Sequence, residues 1–202
     1  MTIKWVIFDL GGVIFTNDSH FMNGNDEFSS FFKLTKEEMS KGWLAGWPKY
    51  RVGEISEDEF WQIYLIAANA KDIDIKKAKQ LWRKYQFEIE NMLALLVKLK
   101  KNCKLASLTN IGKEWLDFKK EKFKLGNYFE EIVSSGYSGV AKPNREIYDL
   151  ILTRLNAKPT ECVYIDDNEE TLKPATGKGM HTILFKGQKS LEEALNKIAI
   201  KF

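Results

Sequence analysis

The feature that most constrains this chain is a short apolar run that closes on a carboxylate and a glycine-marked turn. Ile3–Phe8 (IKWVIF) is mostly apolar, ends at Asp9, and is followed by Gly11 and Gly12. A run of that length bounded by turn residues reads as a buried strand, and the glycines let the backbone turn tightly behind it. A strand buried on both faces belongs to a parallel sheet covered by helices. The rest of the chain then has to supply alternating helices and strands.

It does so after residue 90. The pattern predicts a helix over Asn91–Lys100, a strand over Lys104–Leu108 ending in Thr109-Asn110, and a helix over Glu114–Lys122. A strand follows over Glu131–Ser134, then a helix over Pro143–Leu155 opened by its proline. Next come a strand over Cys162–Ile165 ending in Asp166-Asp167 and a helix over Glu169–Lys178, which Pro174 should disturb. A strand over His181–Phe185 and a helix over Ser190–Ile200 complete the series. Alternation of this kind gives a parallel sheet with helices on both faces. Ligands of such sheets sit beyond the carboxyl ends of the strands. Asp9, Thr109, Asn110, Asp166 and Asp167 stand at those ends, and a further segment delivers Lys142.

From about Asn17 to Glu90 the pattern has no convincing strand. Thr35 before KEEM and Ser56 before EDEF read as helix N-caps, the second with Glu59 at capping-box spacing. Phe60, Ile63, Tyr64 and Ala67 then recur at helical spacing, and Lys76–Gln86 is a further helix. The expected organisation is an α/β core of residues 1–16 and 91–202, with an all-helical cap, residues 17–90, inserted after the first strand as a lid over the site.

Composition limits the function classes. The 202 residues carry 31 basic and 28 acidic side chains, a net charge of +3 that is too balanced to indicate a nucleic-acid partner. Two cysteines, Cys103 and Cys162, exclude a disulfide-rich scaffold and a four-cysteine zinc site, and suit a reducing compartment. No stretch reaches the roughly 18 apolar residues of a membrane span. A cytoplasmic protein without a membrane partner is the expectation.

The residue types at the strand ends suit phosphate chemistry. A carboxylate at Asp9 is a potential nucleophile or metal ligand. Adjacent Asp166 and Asp167 repel each other unless a cation or a lysine lies between them. Mg²⁺ takes one or two carboxylates together with substrate phosphate. Thr109 and Asn110 offer a hydroxyl and an amide, and Lys142 a point charge. The backbone N–H groups of the glycine-flanked turn, at Leu10 and Gly12, offer an anion nest.

Four segments, WVIFDLGGV, LASLTN, GVAKPNREIY and VYIDDNEETLKPATGKGM, stand in that order. Together they make the chain resemble the haloacid dehalogenase superfamily over essentially its whole length. GEISEDEFW and LKPATGKGM further resemble the subgroup that holds α-D-glucose-1-phosphate phosphatase and the N-terminal phosphatase domain of soluble epoxide hydrolase. The resemblance implies a Rossmann-like core with a helical cap and Mg²⁺-dependent hydrolysis of a small phosphate ester, such as a sugar phosphate. It implies that Asp9 is the nucleophile of an aspartyl-phosphate intermediate. Thr109 and Asn110 would bind the phosphoryl group, and Lys142 would neutralise charge. The metal would be held by Asp9, Asp167, the carbonyl of Gly11, and Asp166 beside them.

One position departs from that pattern. Most phosphatases of the superfamily carry a second Asp two residues after the nucleophile, where it protonates the leaving alkoxide. Here the position is Gly11. General acid–base assistance is typically worth about 10²–10⁴ in rate, so leaving groups that need no proton suffer least. Asp18 and His20 are the candidate replacements. The alternatives to a phosphatase are a non-catalytic phosphometabolite binder and a dehalogenase. Trp43, Trp47, Trp61 and Trp82 read first as cap core, with Trp43 or Trp47, near Gly42, Gly46 and Pro48, as possible substrate contacts.

Overall fold

The computed structural model describes residues 3–201, with the side chains of residues 20, 22 and 23 outside the description. Strand β1 (Trp5–Phe8) is followed by five helices: α1 (Asp18–Gly24), α2 (Asp26–Phe32), α3 (Lys36–Tyr50), α4 (Glu57–Ala67) and α5 (Ile75–Lys84). Alternation then begins with α6 (Met92–Leu99), β2 (Lys104–Thr109), α7 (Lys113–Phe123), β3 (Glu131–Ser134) and a single turn, α8 (Ser135–Ser138). It continues through α9 (Arg145–Leu155), β4 (Cys162–Asp166), α10 (Glu169–Gly177), β5 (His181–Leu184) and α11 (Gln188–Lys197).

The sheet is parallel throughout, in the order β3-β2-β1-β4-β5. The chain crosses from one side of β1 to the other between β3 and β4, which makes the carboxyl end of β1 the switch point of the sheet. Period-two alternation divides the strand residues between two cores. Val6, Phe8, Leu105, Val163 and Ile165 pack on one face with α6, α7 and α11 side chains such as Leu95, Trp115 and Leu191. Trp5, Ile7, Ala106, Leu108, Cys162 and Tyr164 pack on the other face with Ile147, Tyr148 and Ile151 of α9 and Ala175 of α10. Each fully buried large side chain contributes roughly 1.5–3 kcal/mol, so both faces of the sheet are committed to helices.

The helices between β1 and α6 are set by local signals. Ser56 and Glu59 form the expected capping box, and Thr35 with Glu38 forms another. Helices α3, α4 and α5 close on α7 through Trp115, whose ring lies 4.3 Å from Trp82, 5.3 Å from Phe60 and 5.0 Å from Tyr50. Glu57, buried in the first turn of α4, accepts from the indole N–H of Trp115 at 3.0 Å and that of Trp61 at 3.3 Å. Arg83 supplies its counter-charge at 2.8 Å.

Two expectations about proline are corrected. Pro143 lies before α9, not in its first turn: Asn144 caps the helix through Glu146 N–H, and the Lys142-Pro143 peptide bond is cis. Pro174 lies inside α10 without breaking it. Only one helical N–H is removed, and the helix ends three residues later at Gly177. Among the described residues no helix is long and apolar enough to cross a membrane.

Candidate active site

Asp9 continues β1, its backbone N–H bonded to Ile165 O at 2.9 Å, so the carboxylate emerges at the switch point between β1 and β4. Oxygen atoms of Asp9, Asp166 and Asp167 lie within 4.8 Å of one another. Three carboxylates so placed need a cation. The amino group of Lys142, itself buried, supplies one positive charge. Its Nζ stands 3.0 Å from Asp9 Oδ1, 2.7 Å from Asp166 Oδ2 and 2.8 Å from Tyr164 OH.

The electrostatics separate the three acids. Burial pushes the Asp9 carboxyl up to about 7; Lys142 opposes the rise, and the charges of Asp166 and Asp167 add to it. Burial and the neighbouring Asp166 charge also hold Asp167 above the usual carboxylate range. Burial would raise Asp166 too, but the Lys142 charge, with hydrogen bonds from Lys142 and Tyr164, outweighs it and holds this carboxyl low. Burial would lower Lys142, yet Asp9 and Asp166 on either side keep its amino group above the usual lysine range. Asp166 and Lys142 therefore form the charged pair, while Asp9 and Asp167 are left short of positive charge.

Hydrogen bonds sharpen the division. Asp166 Oδ2 accepts from Lys142 and Tyr164, and Oδ1 accepts from Asn168 N–H at 2.9 Å, so both oxygens already have donors. Asp9 Oδ1 is buried and takes no hydrogen bond of good geometry; Lys142 is its one close cation among the described residues. Asp167 Oδ2 has a long contact, 3.5 Å, from Asn17 Nδ2.

The two glycines differ. Gly12 has φ of +79°, and a Cβ there would lie 2.1 Å from Asp167 Oδ2. Glycine is needed at residue 12 for both reasons, since it alone tolerates the left-handed region freely and leaves the acid room. Gly11 lies outside that region, and a Cβ there would meet nothing within 4 Å. The expectation that Gly12 N–H is an anion donor is corrected: it donates to Phe15 O at 2.8 Å, closing the turn. Leu10 buries its side chain in the core, and its carbonyl accepts from Ile14 and Phe15, so only its backbone could face a ligand.

A cavity of about 210 Å³ gathers Asp9, Gly11, Asn110, Lys142, Asp166 and Asp167, with Asn17, Trp43 and Trp47 among its other walls. Thr109 is buried at the end of β2 beside this cavity and is not among its lining residues. Asn110 spends its amide on Lys142: Oδ1 accepts from Lys142 N–H at 2.8 Å and Nδ2 donates to Lys142 O at 3.0 Å. Asn110 thus fixes the backbone that carries the lysine. Asp18 also borders the cavity, but its carboxylate accepts from Trp82 Nε1 at 3.2 Å and from Lys119 Nζ at 3.3 and 3.4 Å. Both oxygens of this carboxylate are thus engaged inside the fold. The His20 side chain lies outside the described residues.

Sequence reasoning missed Tyr164 and Asn17. Tyr164 was readable: it stands two residues before Asp166 on the same buried strand, hence on the same face. Its hydroxyl lies between Lys142 and Asp166, and burial with the Asp166 charge holds it well above the usual phenol range.

A parallel sheet with an acid at its switch point, and a lysine and two further acids around it, is an arrangement suited to a hydrolase that works from strand ends. The chain belongs to the haloacid dehalogenase-like hydrolase family, whose profile matches residues 3–176. A chloroplast flavin mononucleotide hydrolase of Arabidopsis thaliana is 27% identical over 155 residues, covering 76% of this chain and 62% of that protein. Bifunctional epoxide hydrolase 2 of Rattus norvegicus is 39% identical over 75 residues, covering 37% of this chain and 14% of its own length. The chain thus spans less than two thirds of either relative. A haloacid dehalogenase family enzyme of Bacteroides thetaiotaomicron, solved as a magnesium complex, superposes with a TM-score of 0.81 at 22% identity, over 96% of this chain and 99% of that one. The same enzyme has also been solved with magnesium and inorganic phosphate, with a TM-score of 0.75 at 24% identity, over 92% and 95% of the two chains.

Proposed function

We propose that the chain is a Mg²⁺-dependent phosphatase of small phosphate monoesters. Residues 17–90 serve as a cap over a core made of residues 1–16 and 91–202. The observation that carries the reading is the convergence of Asp9, Asp167, Asp166 and Lys142 at one switch point, with Asp9 and Asp167 short of positive charge. The donor set fits the metal: oxygen atoms within 4.8 Å of one another, one of them buried without a hydrogen-bond partner. The magnesium and phosphate bound by the Bacteroides enzyme, and the phosphate ester named for the Arabidopsis relative, support the same chemistry.

Asp9, Asp167 and the Gly11 carbonyl would hold Mg²⁺, which when bound offsets the charge of the phosphate and of the acids. Asp9 attacks phosphorus, an aspartyl–phosphate bond forms, and the bond from phosphorus to the leaving oxygen breaks. Water then attacks phosphorus, returning the Asp9 carboxylate and releasing inorganic phosphate. Lys142 is held by Asp166, Tyr164 and Asn110, and it balances the charge of Asp9 and the phosphoryl oxygens. Asp166 acts mainly by positioning Lys142, because its oxygens are already engaged. Thr109 and the Leu10 backbone would contribute to phosphate binding from the β1 and β2 ends. Phosphate release from a panel of monoesters, with Mg²⁺ and with chelator, tests the reading. Mg²⁺-dependent turnover that Asp9→Asn abolishes supports it, and turnover that survives Asp9→Asn removes Asp9 as nucleophile.

A further inference from the structure

The cavity that holds the acids also has an aromatic wall. Trp43 and Trp47, one turn apart on α3, stack with ring centroids 4.3 Å apart and planes 18° apart, and both line the cavity. Trp115 backs the pair in near-parallel orientation, 6.5 Å from Trp43 and 5.9 Å from Trp47. The wall is therefore a supported indole surface. Gly42 and Gly46 fit it against α4, since a Cβ at either would lie under 3 Å from Tyr64 or Phe60 atoms. An aromatic plane in a small, charged cavity matches a substrate with one anionic end and one flat ring.

The turn after Asp9 points the same way independently. Gly11 puts no carboxyl beside the nucleophile, and Asp18 is tied to Lys119 and Trp82. Among the described residues, neither of these two positions offers a leaving oxygen a proton. A phenol has a pKa of about 10, whereas an aliphatic alcohol, like water, is a far weaker acid. The unassisted route favours the phenolate.

We propose that the substrate of this site is an aryl phosphate, its ring lying against the Trp43–Trp47 pair. The proposal rests on the phosphatase reading and narrows its substrate class. As the Asp9–phosphorus bond forms, the bond from phosphorus to the aryl oxygen breaks. The electron pair stays on that oxygen, and the phenolate takes its proton from water after release.

The test compares phenyl phosphate, ethyl phosphate and acetyl phosphate in the presence of Mg²⁺. Acetyl phosphate has a good leaving group and no ring, so it reports the phosphatase reading alone. The expected result is kcat/KM for phenyl phosphate at least 10²-fold above that for ethyl phosphate. Trp47→Leu should raise KM for phenyl phosphate about tenfold more than KM for acetyl phosphate, and Trp47→Phe should restore most of the difference. Calorimetric binding of phenylphosphonate should weaken in Trp47→Leu by the same factor relative to methylphosphonate. Acetyl phosphate turned over with no ring-dependent loss in Trp47→Leu would overturn the aryl assignment and leave the phosphatase reading standing. Ethyl phosphate turned over as fast as phenyl phosphate would do the same. No turnover of any of the three would remove the phosphatase reading, and the aryl proposal with it.

Discussion

Gly11→Ala and Gly12→Ala are adjacent, chemically identical changes, and the geometry assigns them opposite outcomes. At residue 11 the new methyl enters open space, outside the left-handed region, so stability should hold or rise by up to about 1 kcal/mol through a less flexible unfolded chain. At residue 12 the φ of +79° costs a non-glycine residue about 1–2 kcal/mol. In a chain of this length that corresponds to a fall of roughly 2–8 °C in Tm. The larger effect is on Asp167: a Cβ 2.1 Å from Oδ2 forces the carboxylate back by more than about 1.3 Å before the contact is ordinary. Mg²⁺ demands near-ideal octahedral distances of about 2.0–2.1 Å, and displaced ligand geometry commonly costs 10- to 100-fold in metal affinity. Calorimetric Mg²⁺ titration and thermal denaturation of both variants measure the contrast. Equal Mg²⁺ affinity in Gly12→Ala and wild type would refute the role of Gly12 in seating Asp167 as a ligand.

Mg²⁺ binding should release protons. Burial holds the Asp9 carboxyl, and to a lesser degree that of Asp167, above the usual range in the metal-free protein, and a ligand must be ionised. Protons should therefore leave these acids as Mg²⁺ binds near neutral pH, with less release at higher pH and with affinity falling as pH drops. Titration heats that do not change with buffer ionisation enthalpy would contradict this. Asp18→Ala should destabilise the fold by about 3–5 kcal/mol by leaving Lys119, fully buried, without its counter-charge. Urea denaturation reads the loss, and Lys119→Met in the same chain should recover part of it. A stable Asp18→Ala that loses turnover would make Asp18 the proton donor instead. Gly11→Asp has room for its side chain and should raise ethyl phosphate turnover by up to about 10²-fold; no gain in a variant that still binds Mg²⁺ would count against a missing acid at this position.

Strand ends were the legible part of this chain. Asp9, Asp166 and Asp167 follow buried apolar runs, and a parallel sheet brings such ends together whatever the intervening sequence. Lys142 was legible only through the segment around it, because its place depends on Asn110 holding its backbone from another strand end. The ion pair of Asp18 with Lys119 spans 101 positions, and no local pattern announces it. Nor does composition distinguish Gly11 from Gly12: only the backbone shows which one sits at positive φ and which faces empty space. The aromatic spacing on α3 reads first as core packing, with a substrate contact as the lesser alternative. In the fold both Trp43 and Trp47 pack near Trp115 and both line the cavity.

The central claim is that Asp9 attacks phosphorus and is regenerated by water acting on phosphorus. A single turnover with enzyme in excess over phenyl phosphate, in oxygen-18-labelled water with Mg²⁺, tests it directly by mass spectrometry of the Asp9 peptide and of the released phosphate. The account predicts one labelled oxygen in the phosphate and none in the Asp9 carboxylate, with borohydride trapping an acyl phosphate at Asp9 during turnover. Label in the Asp9 carboxylate would mean that water attacks the aspartyl carbonyl, as in hydrolysis of a carbon ester, and would contradict the phosphatase account.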